Sequence, residues 1–333
     1  MKLGTGLFTG QRRPGDDRSF EAIYAEILDL AETIDDAGLA SAWVSEHHFT
    51  DDGYLPGTMP TLGAIAAATD DVELGTCIGL APLYDPVRLA EDGATLSLLS
   101  GGRATLGLAI GYRHREFEGF GIPREERAPR TADAVKTVRA AWRDGPLDYD
   151  PAFHPAPPDL EVTPTPESPP PVVLGGAAKP AVRRAARLGD GWVAPSSLSV
   201  DDVATRVADI HNVRDDEGID GDFQVYVLRH GFVADDAATA WARIEDGYRY
   251  LTRRYAEWYG GDPVAELSAE RVAELREEAV LGPPAEIAAE LDRYRDAVGD
   301  DVHVILRTYF PGIGTDRMRT AIERLGAEVV PHV

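Results

Sequence analysis

Apolar positions recur along the chain in two rhythms that take turns. Short apolar runs bounded by Gly, Pro or Asp alternate with longer stretches whose apolar residues fall three and four apart. Residues 2–8 (KLGTGLF) read as a first strand. Residues 19–38 read as a helix: Ser19 is placed to cap it, Ile23, Ile27, Leu30 and Ile34 share one face, and Gly38 ends it. Residues 41–48 (SAWVSEHH) read as a second strand, 59–70 as a small-residue helix and 72–82 as a third strand. The helix 86–102, the strand 103–111 and the helix 129–145 continue the order. After residue 171 it resumes with strand 171–176, helix 179–189, strand 190–195, a helix from 199 to about 217, and strand 223–234. A long helical stretch, 236–298, is broken near 259–263 and 281–284. Strand 301–312 and a final helix close the chain.

Eight strands alternating with helices predict a (β/α)8 TIM barrel over residues 1–333 as one domain, with a helical insertion at about 236–298 between strands seven and eight. An open doubly wound sheet is the alternative. The Pro-rich excursion 145–171 interrupts the alternation. Its Phe153, Leu160 and Val162 suggest a short extended hairpin rather than an interdomain linker. In a barrel, ligands gather at the C-terminal ends of the strands. That rule would bring His47, Cys77, Ile78, Ile110, Gly111, Gly175, Gly176, Pro195, Arg229 and Tyr309 to one mouth.

Charge changes the picture of the surroundings more than of the fold. Asp and Glu total 57 against 33 Lys and Arg, a net of −24, and only Lys2, Lys136 and Lys179 are lysines. Such a surface repels nucleic acid. Acid spread along the whole chain suits a cytoplasm at high salt, where self-repulsion is screened, and predicts a halophilic source. No apolar run approaches membrane-spanning length, and residues 1–10 do not read as a signal peptide. A single cysteine, Cys77, excludes an internal disulfide and a multi-cysteine metal site.

The stretch Glu46-His47-His48 carries the most chemistry. Strand alternation sends His47 away from its neighbours, and no HxH or HExxH spacing completes a metal site. An inward imidazole oriented by a carboxylate suits proton transfer near neutral pH; a strand-end polar cluster is the plainer reading. Gly111 opens a loop, 107–121, charged by Arg113, His114, Arg115 and Glu116. Gly175-Gly176, between a strand and a helix, offers free backbone N–H groups to a phosphate, with Arg127 and Arg130 as candidate cationic partners. Both features also read as ordinary strand–helix loops. Cys77 reads as a small buried residue rather than a nucleophile.

The ordered string EHHF (46–49), DPVRLAE (85–91), LSGGR (99–103), the glycine of 107–111, EFEGFG (116–121) and PVVLGG (171–176) resembles the bacterial-luciferase-like flavin-dependent oxidoreductases nearly end to end. The resemblance implies a (β/α)8 barrel with reduced FMN at its mouth. It implies a monooxygenase using O2 on a small organic substrate, supplied by a separate flavin reductase and assembled as a homodimer or homotetramer. It makes His47 the catalytic imidazole with His48 in support. Cys77-Ile78 would underlie the flavin ring, often through a non-prolyl cis peptide. Glu91, Ile110 and Gly111 would lie near the ring, and Arg130, Gly175 and Gly176 at its phosphate. Ala109 and Ile110 stand where luciferase itself has a reactive Cys and an Arg, so light emission is not implied. The family also includes enzymes of coenzyme F420, a deazaflavin common in archaea; these more often carry Asp-His at the strand end, so Glu46-His47 leans towards FMN. An F420-dependent hydride-transfer enzyme and a non-catalytic flavin-binding paralogue are the alternatives.

Overall fold

The computed structural model describes residues 1–157, 159–260 and 266–333. Eight parallel strands close on themselves: β1 (Lys2–Phe8), β2 (Ser41–Val44), β3 (Glu73–Thr76), β5 (Ala104–Ala109), β6 (Val172–Gly175), β7 (Gly191–Ala194), β8 (Gln224–Val233) and β10 (His303–Arg307). Each pairs with the next, and β10 pairs with both β8 and β1, which closes the barrel. The architecture is the expected (β/α)8 TIM barrel rather than an open sheet. Two short strands sit outside the ring: β4 (Gly79–Leu80) against β5, and β9 (Val280–Gly282) against the end of β8.

Inside the ring, alternation gives one row of residues to the lumen. Leu7, Trp43, Cys77, Val173, Val193, Tyr226 and Ile305 form the inner cluster. Trp43 and Tyr226 meet edge to face at 5.3 Å. At the N-terminal end Ser41 Oγ accepts from Trp43 Nε1 at 2.7 Å and lies 2.7 Å from His303 Nε2. Burial depresses the His303 imidazole to about 3, so it stays neutral there.

The outer row packs against helices. α1 (Phe20–Asp36) starts where Ser19 Oγ accepts from the Ala22 N–H, and it buries Ile23, Ile27, Leu30 and Ile34, the face predicted from spacing. α2 (Thr58–Ala68), α3 (Pro86–Leu99), α5 (Arg127–Ala141), α6 (Lys179–Leu188), α7 (Val200–Glu217), α10 (Pro284–Val298) and α11 (Thr315–Glu328) complete the helical layer. Among the described residues no helix is long and apolar enough to cross a membrane.

Four local expectations are corrected. The third strand does not run unbroken to Pro82. It stops at Thr76, the Cys77–Ile78 peptide is cis, and pairing resumes at Gly79. The charged segment after β5 is not all loop: α4 (His114–Phe120) forms there, ended by Gly121 at φ 67°. The stretch 236–298 is not all helical. α8 (Ala237–Trp258) and α9 (Ala269–Glu278) are followed by β9, because Val280–Gly282 finds free ladder groups at the end of β8. The break foreseen at 259–263 falls partly outside the described residues. The Pro-rich segment forms no hairpin ladder among the described residues; a single bond from the Leu147 N–H to the Leu160 carbonyl folds it back, and Leu147 and Val162 are buried.

Strand crowding near the mouth makes one glycine obligatory. A Cβ on Gly107 of β5 would lie 1.9 Å from the Thr76 carbonyl oxygen of the neighbouring β3. Gly107→Ala must push these strands apart. It is expected to cost about 1–3 kcal/mol or more, read as a lowered urea midpoint at unchanged m-value. A variant as stable as the parent would refute this packing.

Candidate active site

β2 ends at Val44, and the chain then turns through Ser45 to Phe49 before α2. Phe49 takes φ 55°, a left-handed conformation rare for a bulky side chain, immediately after the two histidines. This turn sorts the three titratable groups. His47 Nδ1 lies 2.7 Å from Glu116 Oε1, and the same oxygen accepts from the His48 backbone N–H at 3.0 Å. His48 turns its ring the other way: Nε2 lies 2.6 Å from Glu46 Oε1. Glu46 Oε2 accepts from the Leu80 N–H at 2.8 Å and the Tyr84 hydroxyl at 3.0 Å. Glu46 thus fastens the turn to β4, and His48 completes that structural pair.

Glu116 is the partner that spacing along the chain did not single out. It stood in the sequence as one charge in the loop after β5 and as the first residue of EFEGFG, with no role attached. α4 carries it 69 positions from His47 and buries it completely. Its Oε1 accepts from His47 Nδ1–H, which fixes the tautomer and leaves Nε2 for exchange. Its Oε2 is buried without a partner. The Tyr112 hydroxyl lies 3.3 Å from His47 Nε2. Burial pushes that phenol well above its ordinary range, so it stays protonated and donates.

Aromatic rings enclose the imidazole. Trp258 lies 4.5 Å from it and Tyr54 4.8 Å, both between ring centroids. Tyr255 reaches the Tyr54 hydroxyl at 2.8 Å, and Tyr54 donates to Ser45 Oγ at 2.9 Å. Trp258 and Tyr255 belong to the last turns of α8, so that helix end covers the mouth and His47 is only 4% exposed. Tyr259, just beyond it, stacks on Tyr112 at 4.2 Å and 7°. Asp52 anchors the same helix, accepting from Gln11 Nε2 at 2.7 Å and the Tyr250 hydroxyl at 2.8 Å, with Arg254 Nε at 3.4 Å. None of these aromatic residues carried a sequence signal beyond being apolar.

The remaining predicted residues divide. Ile78 and Gly175 meet on the floor of the mouth: a Cβ on Gly175 would lie 2.3 Å from Ile78 Cδ1. Cys77 lies in the inner cluster beneath, its thiol pushed up to about 12 by burial. Ile110 follows β5, half-buried. Gly111 takes φ 70°, where a Cβ would lie 3.2 Å from the Phe117 ring, and Gly176 takes φ 135° after β6. Arg130, in the first turn of α5, is held by Glu126 at 2.8 Å and lies over the Phe153 ring. Arg127 beside it has a buried Nε without a partner. Glu91 stands apart. It sits on the outer face of α3, about half exposed, paired with Arg88 at 3.3 Å, because the helix turns that face to solvent. His48 also stands apart through its side chain. Among the described residues no cluster of three metal-ligating groups forms. A cavity of about 1340 Å³ opens at the opposite end of the barrel beside Lys2, Arg139 and Asp301, far from the His47 couple. A smaller one of about 520 Å³ flanks the mouth beside Arg13, Asp52 and Arg254.

This geometry has relatives. The oxygenase component of the flavin-dependent trigonelline monooxygenase of Acinetobacter baylyi is 24% identical over 349 residues, covering 98% of this chain and 94% of that one. An F420-dependent glucose-6-phosphate dehydrogenase of Kineococcus radiotolerans is 30% identical over 209 residues, 60% of this chain and 58% of that one. The crystal structure of the monooxygenase RslO1 from Streptomyces bottropensis superposes with a TM-score of 0.88 at 24% identity, covering 100% and 99% of the two chains. The family model described as luciferase-like monooxygenase matches residues 1–301, from β1 to the approach to β10. The chain is therefore an oxidoreductase that belongs to the luciferase-like monooxygenase family.

Proposed function

We propose that the protein is a flavin-dependent monooxygenase in which reduced FMN binds at the C-terminal mouth of the barrel and a small organic substrate is oxidised there. The observation that carries this reading is the buried His47–Glu116 couple, 2.7 Å apart, with Nε2 turned to Tyr112 and an otherwise aromatic enclosure.

The residues present fit a flavin. Ile78 folded onto Gly175 makes a flat apolar floor that a larger side chain at 175 would fill. The orphaned Arg127 Nε, beside Arg130 at the start of α5, suits an anionic group. The loop after β6 offers Gly-Gly-Ala-Ala and no hydroxyl, so backbone amides and these arginines would hold the phosphate. When bound, the reduced flavin supplies the two electrons with which O2 is activated.

The chain's own groups then have defined work. Glu116 holds His47 by Nδ1–H, so the proton gained or lost in turnover sits on Nε2. Tyr112 donates to that nitrogen and steadies its lone pair. Trp258, Tyr255 and Tyr54 keep water from the imidazole, which strengthens its interactions in a low-dielectric site. We read the region after β8 and the segment after β5 as a lid. The Tyr112–Tyr259 stack joins them, and we take α8's last turn as the part that opens for cofactor and substrate. A separate flavin reductase would supply the reduced cofactor.

The F420 alternative uses the same pocket without O2, and the Kineococcus relative keeps it in view. Titration of the purified protein with reduced FMN and with reduced F420, each followed by absorbance, decides between them. Saturable FMN binding with O2 consumption is expected; tight binding of F420 alone would replace the monooxygenase reading. His47→Ala is expected to lower turnover by about 10²–10⁴-fold with FMN affinity retained. Glu116→Gln keeps the shape but loses the charge, and a fall in kcat of about tenfold or more is expected at similar KM. Unchanged turnover in His47→Ala would remove the imidazole from the reaction.

A further inference from the structure

The proton-transfer couple leaves one buried cation unexplained. Arg307, at the C-terminal end of β10, is 1% exposed. Ile305 belongs to the inner cluster and His303 bonds Ser41, so alternation turns Arg307 into the lumen at the mouth. Its Nε donates to the Tyr309 carbonyl at 2.8 Å, and Nη2 lies 3.4 Å from Thr9 Oγ1. With the Phe310 ring at 5.6 Å these are its polar and aromatic contacts among the described residues, and no carboxylate is one of them. Among the described residues Nη1 has no hydrogen-bond acceptor.

A buried guanidinium without a counter-charge is costly, and this chain has carboxylates in excess, 57 against 33 basic groups. Two other buried arginines also lack carboxylate partners but spend their donors on backbone carbonyls: Arg214 on Asp220 and Gly221, Arg229 on Ser196, Leu198 and Glu278. Those carbonyls belong to loops between elements, save that of Glu278, the last residue of α9. Arg307 instead faces the lumen, where a ligand belongs.

A second donor stands next to it. His230 is the register partner of Arg307 on β8. Its Nε2 lies 3.1 Å from Ser196 Oγ, and its Nδ1 is buried with no partner. Burial, with the Arg307 and Arg229 cations, holds this imidazole well below its ordinary range, so it is neutral. A Ser196 hydroxyl that donates to Nε2 would put the single ring proton on Nδ1. The Arg307 charge also acts on Tyr54 and Cys77, lowering both against their burial.

We propose that Arg307 Nη1 and His230 Nδ1 form an oxyanion subsite inside the barrel mouth that takes the carboxylate of the substrate, making the substrate class a small organic acid. Each donor gives one charge-assisted or neutral hydrogen bond to the same carboxylate, and the ligand supplies the counter-charge that the chain withholds. The inference rests on the oxidoreductase reading of this mouth.

Benzoate and benzamide, alike in size and different in charge, test it in the full chain at constant ionic strength by titration calorimetry. Benzoate is expected to bind about tenfold or more tightly than benzamide. Arg307→Gln is expected to abolish the preference and Arg307→Lys to keep part of it. Equal binding of the two probes by the unaltered protein would overturn the subsite without any variant, as would a preference that survives in Arg307→Gln. Reduced FMN titrated in parallel separates the two levels. Failure of the unaltered protein to bind FMN, with the benzoate preference intact, sinks the flavin reading and leaves the subsite standing. Weakened FMN binding in Arg307→Gln with the benzoate preference kept assigns the cation to the cofactor and overturns the proposal.

Discussion

β10 hydrogen-bonds to β1 on one side and β8 on the other, and the geometry of the mouth hangs on that double pairing. In an open sheet of the same strands, His47 and His230 would belong to strands near opposite ends of the order. Closure puts their strand ends on one ring. Large inner side chains, Trp43 and Tyr226 foremost, fill the lumen below that ring and leave no pore. The floor of the mouth is then a packed surface, and the groups above it are held by strands that cannot shift independently.

Two carboxylate–imidazole pairs share the turn at residues 46–48 and do different things. Glu46 with His48 ties the turn to β4 and Tyr84, so its acceptor capacity is spent on structure. Glu116 with His47 keeps one oxygen unspent in a dry, aromatic surrounding. The positive φ of Phe49 belongs to the turn that divides them. Burial makes both pairs strong, since an unpartnered carboxylate in such a place is costly. The difference lies in access: among the described residues Nε2 of His47 has one hydrogen-bond partner, the Tyr112 hydroxyl, which a ligand can replace.

The barrel was legible because the strand and helix periods alternate eight times, and the α1 face was correct residue for residue. Periodicity failed where length was the only guide. Val280–Gly282 is too short to show a period of two between helices, and α4 hides in a run of charges. In the candidate site, His47 was readable from its place after an apolar strand. Its partner was not, because Glu116 lies on another βα unit and contact across a barrel leaves no mark in local spacing. The aromatic enclosure was silent for the same reason: a tyrosine that covers a ligand site and one that fills a core read alike. Glu91 illustrates the reverse hazard. A motif position can match while the helix carries its side chain to solvent.

The burial of Cys77 has a practical side. The chain's one thiol lies in the barrel interior and ionises only near pH 12, so the outer surface carries no group that reacts with maleimides or thiol-directed spin labels. A cysteine introduced at an exposed position in the last turns of α8, such as Ala256, would therefore be a unique attachment point with no need for a cysteine-free background. A fluorophore or nitroxide there, paired with the native indole of Trp258, would report the motion of the α8 terminus directly, in the protein as it stands.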